Sequence, residues 1–86
     1  MELNGTYEKL AELLHEVDDK LESMSAREIQ GKHLTQDLGL DSLDVIKFVL
    51  LVEERFGCKI ADEEIDARGL LKVDNLAAYL VEHAAA

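Results

Sequence analysis

A single cysteine, Cys58, stands in the 86-residue sequence, so no internal disulfide can form and nothing asks for an oxidising compartment. Basic residues are scarce too. Nine Lys and Arg against nineteen Asp and Glu give a formal charge of -10, a surface that phosphate backbones and anionic lipid repel. Nucleic acid is thereby excluded as a partner, and basic patches on other proteins are favoured. Long apolar runs are missing as well. No stretch approaches the ~20 residues of a membrane span, and Met1 to Tyr7 lack both the basic start and the apolar run of an export signal. The expectation is a cytoplasmic protein without membrane insertion.

Metal and hydrolytic signatures are absent. His15, His33, His83 and Cys58 show none of the paired spacings of zinc sites, which reads the histidines as surface residues. A calcium loop starting at Asp37 would place its closing acid on Phe48 and its central glycine on Ser42. No Gly-x-Ser-x-Gly elbow surrounds Ser42. A chain of this length makes one domain, residues 1–86, that hides about 60–65% of its unfolded surface. That leaves little volume for a walled catalytic cleft, so a binding or carrying role comes first.

What is present is helical periodicity. Tyr7, Leu10, Leu14, Val17 and Leu21 recur at spacings of three and four, with Glu8, Glu12, Glu16 and Lys20 on the wet side. They predict a first helix over 6–21, capped by Asn4 or Thr6. Residues 22–40 keep no period and read as a long loop tethered by Ile29, Leu34 and Leu38. The stretch 42–56 has neither Gly nor Pro, with Asp41 before it as cap and Gly57 after it as stop. A brief helix over 62–67 capped by Asp62, and a last one over 74–83 capped by Asp74, complete the pattern. No segment alternates with period two long enough to be a strand. The fold expected is all-α: a small four-helix bundle with a long loop between the first and second helices and a short third helix.

On the second helix, Val45, Phe48, Val49, Val52 and Phe56 gather on one side, while Leu43, Ile46 and Leu50 form a separate stripe. That stripe either completes the core or forms an exposed contact ridge. Asp41, Asp44, Glu53 and Glu54 flank it, giving an apolar centre within a charged rim.

The string Asp37-Leu38-Gly39-Leu40-Asp41-Ser42-Leu43 lies where the loop turns into this helix. It resembles the attachment motif of acyl carrier proteins, an Asp-Ser-Leu triplet preceded by Asp-Leu-Gly. The likeness runs from about Leu34 to Leu80 and takes in Val52-Glu53-Glu54-Arg55-Phe56-Gly57 and Ile60-Ala61-Asp62-Glu63-Glu64. It implies a non-catalytic, monomeric carrier of the discrete type, with 4'-phosphopantetheine moved from coenzyme A onto Ser42 by a phosphopantetheinyl transferase. Acyl groups then ride as thioesters on the arm's thiol, for fatty acid, polyketide or related specialised biosynthesis.

The same resemblance places Asp41 and Leu43 beside the arm. It makes Asp44, Ile46, Lys47, Leu50, Glu53 and Glu54 the docking surface for acyl-loading and acyl-processing enzymes with basic patches. Val45, Phe48, Val49, Val52, Phe56, Ile65 and Leu76, core residues in either case, would line a pocket that opens for the acyl chain.

Lys47 stands where common fatty acid carriers place an acid, Ala61 where a proline is usual and Leu40 where an alanine is common. Each is either a harmless exchange or a mark of a dedicated pathway. Aminoacyl and peptidyl carriers usually show Gly-Gly-x-Ser, against Gly39-Leu40-Asp41-Ser42 here. An unmodified acidic adaptor would explain charge and ridge without the serine.

Overall fold

In the computed structural model, which describes residues 3–83, five α-helices follow one another: α1 (Leu3–Val17), α2 (Ala26–Ile29), α3 (Ser42–Phe56), α4 (Asp62–Ala67) and α5 (Val73–His83). A 3-10 turn over Asp19–Leu21 follows α1. No strand occurs among the described residues, only an isolated antiparallel bridge between His33 and Lys72.

The helix α3 begins and ends where its end signals stand. Asp41, in extended backbone, accepts the Asp44 N–H at the start. Gly57 adopts the left-handed region at φ 66 and returns its N–H to the Glu53 carbonyl, a conformation that carries no Cβ penalty in glycine. Phe48, Val52 and Phe56 are buried, and Val45 and Val49 are half-buried.

The helix α1 starts at Leu3, so Asn4 and Thr6 lie inside it and neither is its cap; Thr6 is buried. Its α-helical part stops at Val17, four residues short of the expected end. The 3-10 turn, capped by Asp18 through the Lys20 N–H at 2.9 Å, carries Leu21 back onto the core. That turn is why the apolar spacing continues past the helix. Leu13 and Ala11 are buried beside the expected stripe.

Within the segment read as a loop, Ser25 and Glu28 form a reciprocal box. The Glu28 N–H donates to Ser25 Oγ at 3.3 Å and the Ser25 N–H to Glu28 Oε1 at 3.1 Å. This is the Ser-x-x-Glu signature of a helix start, and it supports the four residues of α2. Ile29, Leu34 and Leu38 are buried as tethers, joined by Leu40. Backbone bonds Leu34 N–H to Leu71 carbonyl (2.8 Å) and Val73 N–H to Lys32 carbonyl (2.9 Å) tie the segment to the entry of α5.

Two caps differ from expectation. Ala61, not Asp62, precedes α4, and no side chain caps it. Asp74 sits inside α5, because Val73 already belongs to the helix. Its carboxylate reaches away from its own helix to Tyr7 and Gly31.

The core joins Leu10 and Leu14 of α1, Ile29, Leu34, Phe48 and Val52 of α3, and Val73 and Leu80 of α5, each essentially sealed from solvent. Burial of such side chains contributes about 1.5–3 kcal/mol apiece. The first turn of α3 is left projecting from this core.

Candidate functional site

Ser42 is the first residue of α3 and is exposed. Its position is fixed from both directions. Upstream, the Asp37 and Leu38 N–H groups both donate to the His33 carbonyl at 3.0 Å, Gly39 N–H to Thr35 (3.2 Å) and Leu40 N–H to Leu34 (3.0 Å). Gly39, at φ 73, turns the chain out of this knot between two buried anchors, Leu38 and Leu40. Downstream, Asp41 and Asp44 exchange hydrogen bonds across the first turn, Asp44 N–H to Asp41 Oδ1 at 2.8 Å and Asp41 N–H to Asp44 Oδ2 at 3.4 Å.

The Asp44 N–H and the Val45 N–H are both taken by Asp41, through side chain and carbonyl. The N–H groups of Ser42 and Leu43 find no acceptor among the described residues. Two free donors and the positive end of a fifteen-residue helix therefore lie beside the Ser42 hydroxyl, an arrangement that favours an attached anion. The carboxylates of Asp41 and Asp44 oppose it, partly offset because both are engaged in the capping box.

Leu43, Ile46 and Leu50 are 68, 55 and 59% exposed. The stripe is a surface ridge and not a part of the core. Lys47 and Glu54 stand exposed along it. Asp44 and Glu53 are half-buried and committed elsewhere: Asp44 to the box, and Glu53 to the Ile60 N–H, which its Oε2 accepts at 2.6 Å. Glu53 thus ties the chain leaving α3 back onto the helix.

The seven residues expected to line one acyl pocket separate into two groups. Val45, Val49 and Ile65 line a groove of about 150 Å³ between α3 and α4, with Ile60 on its wall. Phe48, Val52, Phe56 and Leu76 do not reach it; they are sealed in the core. Helical period places residues on a face but does not say which neighbour covers each turn. A second groove of about 290 Å³, between α1 and α3, is lined by Val17, Lys47, Leu50 and Leu51, with Glu16 and Glu54 at its edge.

Two of the three histidines differ from the surface reading. His15 is half-buried and its Nε2 bonds the Met24 carbonyl at 2.8 Å. His33 is half-buried, with its Nδ1 within 3.2 Å of two backbone N–H groups. Only His83 is exposed, its ring 4.3 Å from that of Tyr79. The His15 contact reaches Met24, nine residues on, which no short motif announces, whereas the His33 contacts are local. Cys58 is half-buried, and burial, aided by the charge of Glu53, pushes its thiol above the ordinary value.

A family profile described as a phosphopantetheine attachment site matches residues 8–80. The fold and this match define a phosphopantetheine-bearing domain. Among curated proteins, the acyl carrier protein of Clostridium perfringens (strain 13 / Type A) is 32% identical over 77 residues, covering 90% of this chain and 95% of that one. Those of Zymomonas mobilis and Nitratidesulfovibrio vulgaris are 37 and 40% identical, covering 66% of this chain and 70 and 74% of their own. No solved structure matches the chain significantly. The chain belongs to the acyl carrier protein family, and 4'-phosphopantetheine is its covalently held cofactor. The start of α3 fits such a group: an accessible hydroxyl, two unpaired N–H donors for a phosphodiester, and an apolar ridge alongside.

Proposed function

We propose that Ser42 bears the phosphopantetheine arm and that the chain carries acyl intermediates for fatty acid, polyketide or related specialised biosynthesis, without catalysing their reactions. The observation that carries this reading is the exposed Ser42 hydroxyl at the first position of α3, next to the unsatisfied N–H groups of Ser42 and Leu43. When bound, the arm supplies a terminal thiol that holds acyl groups as thioesters. The protein's own part is to present the serine, to accommodate the phosphodiester charge at the helix start, and to offer a face to successive enzymes.

That face is the ridge of Ile46 and Leu50 with Lys47 and Glu54 beside it; Asp44 and Glu53 contribute charge from half-buried positions. Partners are a phosphopantetheinyl transferase and acyl-handling enzymes with basic patches, drawn by the net charge of -10. Val45, Val49 and Ile65 offer the entry for an acyl chain. A dry cavity of ~150 Å³ holds a molecule of the size of benzene, so a longer chain requires α3 and α4 to part over the core residues Phe48, Val52, Phe56 and Leu76. The carrier works as a cytoplasmic monomer.

The test is to incubate the purified chain with coenzyme A and a broad-range phosphopantetheinyl transferase and to weigh the intact protein. The expected result is the gain of one arm, abolished in Ser42→Ala. An unchanged mass beside a working transferase control would support an unmodified adaptor instead.

A further inference from the structure

We propose that His33 is a pH-responsive clasp on the turn that presents Ser42, closed by the neutral imidazole and loosened when the ring takes up a second proton. The ring nitrogen Nδ1 lies 3.2 Å from the backbone nitrogens of Thr35 and Gln36 and 3.1 Å from Thr35 Oγ1. Two N–H donors converge on it, so Nδ1 accepts and the proton of the neutral ring sits on Nε2. The imidazolium has a proton on both nitrogens and accepts nothing. Protonation therefore removes the acceptor of both amides at once and sets a third N–H against them.

The main chain of the same residue grips the other end of the turn. Its N–H donates to Asp37 Oδ2 at 2.7 Å, and its carbonyl accepts the Asp37 and Leu38 N–H groups at 3.0 Å. The next bonds along, Gly39 to Thr35 and Leu40 to Leu34, lead directly to Asp41 and Ser42. On its far side, the bridge to Lys72 fastens His33 to the entry of α5. Release of the ring thus frees the turn on the Ser42 side and leaves the α5 side anchored.

Room for release exists. His33 lines a polar cavity of about 380 Å³ together with Lys32, Asp37, Lys72 and Asp74. Asp37, Lys32 and Lys72 are the charged groups that share this cavity with the ring, and Asp74 is already held by Tyr7 and Gly31.

The clasp stands whether or not Ser42 carries an arm, and its test uses the unmodified chain. Backbone hydrogen exchange measured by NMR at pH 7.5 and pH 5.0, expressed as protection factors, should show the Thr35 and Gln36 amides, and the Leu38, Gly39 and Leu40 amides of the same turn, losing protection on the order of fivefold, the usual effect of losing a cap. Val52 in the core of α3 should not change. In His33→Asn the amide oxygen can accept the same N–H groups without titrating, and protection should hold at pH 5.0; His33→Ser offers a second non-titrating cap. Equal protection of the wild-type turn at both pH values would overturn the proposal. So would an identical loss in the variants, which would assign it to another group.

Discussion

Tyr7 donates its hydroxyl to Asp74 Oδ1 at 2.6 Å, joining α1 to α5 across 67 residues of sequence. The same oxygen accepts the Gly31 N–H at 2.9 Å, so one carboxylate fastens the first helix, the last helix and the segment leading to the site. Burial, the Asp74 bond and the Asp74 charge push the Tyr7 hydroxyl up to about 12. The Tyr7 bond, then the Gly31 bond, hold Asp74 below the ordinary carboxylate value.

Loss of this bond in Tyr7→Phe should destabilise the chain by about 1.5–3 kcal/mol, as for hydrogen bonds to charged groups. Thermal unfolding should then shift down by roughly 4–8 °C per kcal/mol. The pH dependence has two edges. Asp74, with its folded value depressed, contributes above the unfolded carboxylate value of about 4, and that contribution fades as pH falls through the folded value. Tyr7, with its folded value raised, contributes fully below about 10 and loses it as pH rises through about 12. Tyr7→Phe should flatten both edges.

Gly57 at φ 66 ends α3 in a conformation that costs other residues roughly 1–2 kcal/mol. Gly57→Ala should lower the unfolding free energy by that amount, read as a lower denaturant midpoint with an unchanged slope of the transition.

The ridge and the core of α3 should separate in experiment. Leu50→Ala, at a position 59% exposed, should change stability by less than about 0.5 kcal/mol. It should raise the transferase KM about fivefold, the equivalent of ~1 kcal/mol. Phe48→Ala removes a fully sealed ring and should cost about 3–5 kcal/mol, visible as loss of cooperative unfolding.

Cys58 should alkylate slowly. Its thiol is half-buried and raised by burial and by Glu53, so less thiolate is available than in a free cysteine. Timed iodoacetamide labelling at pH 8 should show Cys58 lagging a free-cysteine peptide by severalfold, and Glu53→Gln should shorten the lag.

The parts of the fold written in local chemistry were legible in the sequence. Asp41 and Gly57 bracket α3 at its true limits, and the apolar spacing of Tyr7, Leu10 and Leu14 marks the core side of α1. The short α2 is written in Ser25-x-x-Glu28, but its four residues are too few to set up a period. Contacts made across the bundle were not legible. Asp74 as a clamp for Tyr7 and Gly31 depends on where distant backbone arrives; Glu53 as an acceptor for Ile60 and His33 as a cap for Thr35 and Gln36 are nearer in sequence, but no common signature marks either. The exposure of Leu43, Ile46 and Leu50 was open for the same reason: a stripe has a direction, and what covers it is tertiary.

On the proposed function the arm attaches at Ser42 and nowhere else. The chain has two other serines, Ser23, which is exposed, and Ser25, whose Oγ caps α2. The most direct measurement is fragmentation of the transferase-treated chain by tandem mass spectrometry, with the added mass assigned to a residue. All of it should lie on Ser42; an adduct on Ser23, Ser25 or any other residue would contradict the proposed site.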